Sequence, residues 1–211
     1  MAGTITKLGI QKKNKERVNV FLDEKYAFAV TLTVALELKK GQFLSDAEIE
    51  RFKQQDDRHK AYDRAIFYLG FRARSRSEVE NYLRKKEYPP EVITEVVTRL
   101  IEEKYLNDDE FAQTWVSNRE QLKPKSKRAL QYELRQKGVG QTAIENALSE
   151  LDEDDAAHRA LESKLWQWRQ LDKETFKKKA MGFLSRRGFG YHIARDAVDA
   201  AWDEVASEDG E

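Results

Sequence analysis

Leu134-Arg135-Gln136-Lys137-Gly138-Val139 sets a leucine, a basic turn and a glycine exit side by side, and the arrangement stands twice more, at Leu83-Arg84-Lys85-Lys86-Glu87-Tyr88 and at Leu184-Ser185-Arg186-Arg187-Gly188-Phe189. The anchor leucines lie 51 and then 50 positions apart (83 to 134, 134 to 184). A fixed period of that size marks a tandem array of supersecondary units. Such arrays present a similar patch at every step and so suit extended partners.

Around each copy the apolar residues recur at spacings of three and four, as a helix buried on one face requires. In the first unit the stripes are Ala61, Tyr62, Ala65, Ile66 and Leu69; Val79, Tyr82 and Leu83; and Ile93, Val96, Val97, Leu100 and Ile101. The second reads Phe111, Ala112, Trp115 and Val116; Leu130 and Leu134; Ile144, Ala147, Leu148 and Leu151. The third reads Ala157, Ala160, Leu161, Leu165 and Trp168; Ala180, Phe183 and Leu184; Ala194, Ala197, Val198, Ala201 and Trp202. Each unit is therefore expected to be a three-helix bundle. Pro89 and Pro90 suit the opening turn of a third helix, and Ser77 with Glu80 fits a capping box for the second. The joints Asn107-Asp108-Asp109-Glu110 and Asp152-Glu153-Asp154-Asp155 place carboxylates at helix starts, where the dipole favours them.

The first stretch has another texture. Arg17 to Leu22 and Tyr26 to Val30 flank Asp23-Glu24-Lys25 at hairpin spacing, and Thr4 to Ile10 offers a third strand, which a lone hairpin needs for stability. From Thr33 the pattern turns helical, breaks at Lys40-Gly41-Gln42 and restarts after Ser45, which with Glu48 matches a capping box. The expected fold is mainly α: an elongated, curved tandem array of three-helix, helix-turn-helix-like repeats after a small β-rich module. The expected boundaries are 1–55 for that module, 56–106, 107–151 and 152–204 for the repeats, and 205–211 for a disordered acidic tail.

The chain has 211 residues, 40% of them apolar, enough for several small cores in a row. Charged residues make up 36%, yet 38 basic and 38 acidic side chains cancel, so charge-driven binding must come from local segregation. Cysteine is absent, which excludes disulfides and thiolate chemistry and fits a reducing compartment. No signal peptide and no run of membrane-spanning length stand out, so a soluble, cytoplasmic protein without membrane contact is expected.

Enzyme motifs are missing. His59, His158 and His192 are far apart, and no phosphate loop, nucleophile elbow or dinucleotide fingerprint occurs. Asp108, Asp109 and Glu110 are explained by capping without a metal. Trp115, Trp168 and Trp202 fall on apolar stripes, whereas Trp166 faces a neighbouring unit or a partner. No cofactor or metal is expected.

Basic clusters are the stronger signal. Arg72, Arg74 and Arg76 lie between helices one and two of the first unit; Lys123, Lys125, Lys127 and Arg128 take that place in the second, and Lys177, Lys178 and Lys179 in the third. A second set follows the anchor leucine: Arg84, Lys85 and Lys86, then Arg135 and Lys137, then Arg186 and Arg187. Any one cluster could answer only to the helix dipole, but recurrence in all three units points to a binding stripe. Phosphates or an acidic protein groove would both fit it. Gly138 and Gly188 mark left-handed helix exits, with Glu87 in that place in the first unit. The helix, turn, helix order also suits readers of DNA, although Glu145, Asn146 and Glu150 on a third helix are poor readers of base edges.

Leu69-Gly70-Phe71-Arg72-Ala73-Arg74-Ser75 with Glu78-Val79, Leu106-Asn107-Asp108-Asp109-Glu110-Phe111-Ala112, Glu133 to Val139, and Phe183 to Phe189 resemble, in order, the signature segments of the RecX regulatory proteins. The resemblance covers about residues 60 to 202, and the β-rich start resembles the N-terminally extended members. It implies a cytoplasmic bacterial modulator of the RecA recombinase without a catalytic site. Such a protein binds RecA, alone or as a filament on single-stranded DNA, along the filament groove. It alters strand exchange, ATP hydrolysis and coprotease activity, with inhibition the expected direction. The family lends no catalytic residue, so the basic clusters stand as the candidate site. A monomer with weak direct DNA binding is expected. The alternatives are a stand-alone, non-sequence-specific nucleic-acid-binding repeat protein and a scaffold for another acidic protein.

Overall fold

The computed structural model describes residues 1–208. The chain opens with β1 (Gly3–Ile10), β2 (Arg17–Leu22) and β3 (Lys25–Thr31), passes through a short α1 (Leu32–Ala35), and returns as β4 (Phe43–Leu44). The strands form one antiparallel sheet in the order β3-β2-β1-β4. Asp23 and Glu24 close the β2–β3 hairpin with φ of 47° and 67°, the doubly left-handed turn whose twist matches its strands. Alternation along β2 buries Val18, Val20 and Leu22, which meet Val34 of α1 in one apolar core.

Ser45 caps the next helix, α2 (Asp46–Leu69): its hydroxyl accepts from Glu48 N–H at 3.3 Å while the Glu48 carboxylate accepts from Ser45 N–H at 2.9 Å. The helix runs 24 residues without a break. Ile49 and Phe52 close the core of the sheet, whereas Ala61 and Ala65 belong to the next core along the chain. The expected module boundary at 55/56 thus falls inside a continuous helix. Asp56 is the reason: at 1% exposure it fills the inward-facing position one turn beyond Phe52, its carboxylate accepting from Arg17 at 2.8 and 2.9 Å and from Thr31 N–H at 2.5 Å, with Lys60 at 2.6 Å.

α3 (Arg76–Arg84) and α4 (Pro90–Glu102) pack with the second half of α2 around Val79, Leu83, Val96 and Leu100. α3 begins at Arg76, so Ser77 lies inside its first turn and is not the expected cap. Ile101, placed on the third stripe, is 42% exposed. α5 (Asp108–Leu122), α6 (Lys127–Gln136) and α7 (Gln141–Leu148) follow, then α8 (Glu153–Trp168), α9 (Lys173–Arg186) and α10 (Tyr191–Glu208). Asn107 and Asp152 cap α5 and α8, each side chain accepting from two backbone N–H groups. The apolar clusters of these six helices merge into one core, so the described residues hold three cores rather than one per segment. Val205 is buried within α10, which corrects the tail expected from 205; residues 209–211 lie outside the described ones.

The chain divides into two compact units, one of Met1–Arg74 with Glu78–Leu106, the other of Ser75–Ser77 with the chain from Asn107 onward. All three basic turns have one geometry. Tyr88, Val139 and Phe189 donate their N–H to the carbonyls of the anchors Leu83, Leu134 and Leu184 at 3.3, 3.1 and 3.2 Å, and the residue before each is left-handed: Glu87 (φ 63°), Gly138 (72°) and Gly188 (90°). In the second unit the turn after α9 seats on the start of α6: Ser126 N–H donates to Arg187 O at 3.2 Å, and Arg187 Nη1 donates to Pro124 O at 2.8 Å.

Candidate interaction surface

The basic residues divide into those spent on the fold and those left outward. In the first repeat Arg72 holds Glu78 at 2.8 Å and Arg84 bonds Asn81. The guanidinium of Arg74 lies 4.0 Å over Tyr68, Tyr68 stacks on Tyr82 at 4.1 Å with 7° between the planes, and Lys86 Nζ lies 5.8 Å from the Tyr82 ring. Two cations from separate clusters are thus brought together by a pair of stacked rings, and the negative π faces offset part of their repulsion. Arg76 heads α3 and its N–H donates to Asp108 Oδ1 at 2.8 Å. Lys85 is exposed.

In the second repeat the centre is Glu133, one position before the anchor leucine. Its carboxylate accepts from Trp115 Nε1 at 2.8 Å, from Arg119 Nε at 2.9 Å and from Lys125 Nζ. Burial works to raise its pKa, but the donors Lys125, Trp115 and Arg119 outweigh it and hold the carboxyl below the usual glutamate range. Arg119 and Lys137 both lie over the Trp115 ring, at 4.8 and 5.0 Å. Arg135 reaches Gln141 at 2.9 Å. Lys123 and Arg128 are exposed and Lys127 half-buried.

The third repeat engages Lys177 with Asp199 at 2.5 Å and lays Arg187 4.4 Å over Phe183. Burial pulls the Arg187 guanidinium below its ordinary pKa. Lys178, Lys179 and Arg186 remain exposed. The third residue after each anchor, Lys86, Lys137 and Arg187, covers an aromatic ring in every repeat. The cations offered outward are Lys85, Lys123, Arg128, Lys178, Lys179 and Arg186, which among the described residues form no ion pair.

Sequence reasoning missed Glu133 and Asp56, because carboxylates are abundant here and only the fold shows which ones gather three or more donors. Trp166 is 69% exposed. No group of three or more His, Cys, Asp or Glu side chains that could hold a metal is assembled among the described residues. Nor is any helix among them long and apolar enough to cross a membrane.

Known proteins share this arrangement. The family models "Regulatory protein RecX N-terminal domain", "RecX, first three-helix domain", "RecX, second three-helix domain" and "RecX, third three-helix domain" match residues 3–45, 61–100, 107–148 and 152–198. The chain is 41% identical to "Regulatory protein RecX" of Bacillus subtilis (strain 168), over 98% of this chain and 79% of the relative. It is 34% identical to the protein of the same name from Listeria monocytogenes, over 95% of this chain and 77% of the relative. Among solved structures, one described as the crystal structure of regulatory protein RecX matches with a TM-score of 0.71 at 26% identity, covering 94% of this chain and all of that one. RecX from Lactobacillus salivarius matches with a TM-score of 0.61 at 25% identity, covering 71% and 98%.

Proposed function

Because the chain belongs to the RecX family of regulatory proteins, we propose that it regulates the RecA recombinase, binding RecA or its filament on single-stranded DNA and lowering strand exchange, ATP hydrolysis and coprotease activity. The observation that carries this reading is the run of four family segments in order along nearly the whole chain. The chain acts by binding, as a cytoplasmic monomer and without a catalytic site of its own. Its contact residues are the outward cations of the repeats, which supply the sign of charge that an acidic protein groove or phosphates along a filament would attract. The paired cations contribute by holding the rings and turns between them in place.

The test is RecA-catalysed, single-stranded-DNA-dependent ATP hydrolysis and strand exchange with this protein titrated up to equimolar. A fall in both rates well below equimolar protein supports the reading. Unchanged rates at equimolar protein refute it.

A further inference from the structure

The joints between repeats follow one pattern. The Ser75 hydroxyl, at the entry to α3, donates to Lys137 O at 2.5 Å, and a Cβ on Gly138 would stand 2.3 Å from Ser77 Cβ; all of these residues belong to the second compact unit. One repeat further on, Ser126 N–H, at the entry to α6, donates to Arg187 O at 3.2 Å, and a Cβ on Gly188 would stand 2.6 Å from Ser126 Oγ and 2.9 Å from Ala129 Cβ. Each exit turn lies on the entry to the middle helix of the repeat before it, so close that only glycine fits at its apex. Ser75 and Ser126 are both completely buried. Serine suits such a seat because it is small and stays neutral, whereas a carboxylate closed off from water without a cation is costly.

Two members of the series have no counterpart. Among the described residues no repeat precedes the first turn and none follows the entry to α9. Their residues differ accordingly. At the first turn Glu87 replaces glycine at φ 63°, and Lys86 is exposed where Lys137 and Arg187 are half-buried. Against this turn lies an open cleft of about 460 Å³, bordered on the other side by Asp57, Lys60 and Arg64 of α2. At the entry to α9 the cap is the exposed Asp172, whose carboxylate accepts from Glu174 and Thr175 N–H at 3.1 and 3.0 Å. Hydrogen bonds from Thr175 hold that carboxyl below the usual aspartate range, so it is ionised at neutral pH. Thr175, third in α9, takes the place that the smaller Ala129 holds in α6.

We propose that Glu87 and Asp172 are end guards, which stop a second copy of this chain from docking its first-repeat turn on the α9 entry and continuing the series head to tail. The joint is a heterologous contact, and such a contact repeated without closure gives open chains of subunits. By the geometry of the internal joint, the Cβ of Glu87 would fall against the cap Asp172 and against Thr175. Two carboxylates would then be pressed together and cut off from water. The exposed Lys85 and Lys86 attract Asp172 and Glu174 at longer range, so the block acts at contact and not through net charge. The same attraction makes guards necessary, because a basic turn and an acidic entry would otherwise draw copies together. Recombinase regulation plays no part in this reading.

The test is sedimentation velocity of the full-length chain up to about 300 µM, since a joint this small belongs with weak, transient contacts. Glu87→Gly opens the turn, and Asp172→Ser with Thr175→Ala gives the α9 entry the cap and third residue of α6. The chain carrying all three changes should show an average mass that rises about twofold or more with concentration and falls back at high salt. The wild type and either set alone should keep the mass of one chain. An equimolar mixture of the two sets should stop at a dimer, because each partner then offers one open end. Glu87→Ala in place of Glu87→Gly removes the charge but keeps the Cβ, and should abolish association. Glu87 and Asp172 are exposed and Thr175 half-buried, and circular dichroism checks that the variants keep their helices. A triple variant that stays a monomer at every concentration, association of the alanine version as strong as that of the glycine one, or a wild type that associates equally well overturns the proposal.

Discussion

The Arg187 guanidinium donates to the Pro124 carbonyl at 2.8 Å while its own carbonyl accepts from Ser126 N–H at 3.2 Å, so one residue of the third repeat closes two hydrogen bonds on the entry to α6. Gly188 lies against the same spot. Its φ is +90°, and a Cβ there would stand 2.6 Å from Ser126 Oγ and 2.9 Å from Ala129 Cβ. Gly188→Ala therefore combines left-handed strain with a clash and should cost at least about 2 kcal/mol in urea unfolding. A wild-type midpoint for that variant would show that the joint is soft.

Glu87 occupies the equivalent left-handed turn of the first repeat at φ 63° and is exposed. Glu87→Gly should stabilise the protein by about 0.5–1 kcal/mol, because relief of the left-handed strain exceeds the added entropy of glycine. Thermal unfolding of the two proteins side by side measures it.

Asp56 is the one buried carboxylate of the N-terminal core, and its partners Arg17 and Lys60 come from both sides of it in sequence. Asp56→Ala would leave the Arg17 guanidinium and Thr31 N–H without their acceptor and should cost about 3–5 kcal/mol. Arg17→Met in the same chain should recover part of that loss. Strict additivity of the two in a double-mutant cycle would deny the coupling.

Glu133 ties stability to acid. Its pKa lies below the ordinary glutamate value of about 4.5, so its contribution is complete above that value and drains away as pH falls through the lower, folded one. Glu133→Gln should be less stable than the wild type at neutral pH, with the gap narrowing in acid below about 4.5. A gap that widens on acidification would show the carboxyl titrating the other way.

Arg128, Lys178 and Lys179 are outward and form no ion pair among the described residues. Reversing all three to Glu should leave the unfolding midpoint unchanged and weaken binding to the recombinase filament about tenfold, mainly through a slower on-rate at low salt. Surface plasmon resonance at two ionic strengths reads both effects. Unchanged kinetics would remove these residues from the contact surface.

Much of the fold could be read from periodicity because the repeats obey it: anchor leucines, capped starts and left-handed exits each leave a local trace in the letters. The continuity of α2 could not. Between Phe52 and Ala61 the apolar stripe lapses, since its inward place is taken by Asp56, a residue that hydrophobic periodicity scores as exposed. The basic clusters were equally visible, but their division into engaged and outward members was not. Lys125 meets Glu133 from a neighbouring segment, Lys177 meets Asp199 across helices, and Arg187 meets a carbonyl 63 positions away. Such pairings depend on tertiary approach, which spacing alone does not encode.

The unbroken α2 also constrains how the protein can be taken apart. A fragment starting at residue 56 would begin in mid-helix, without the Ser45–Glu48 cap, and would carry Asp56 stripped of Arg17. A fragment ending at 55 would keep Phe52 but lose the carboxylate that anchors the sheet to the helix. Neither half would inherit a finished end, so the β-rich module and the first repeat form one unit of inheritance. Insertions, fusions and proteolytic cuts along α2 would break a helix that both cores share.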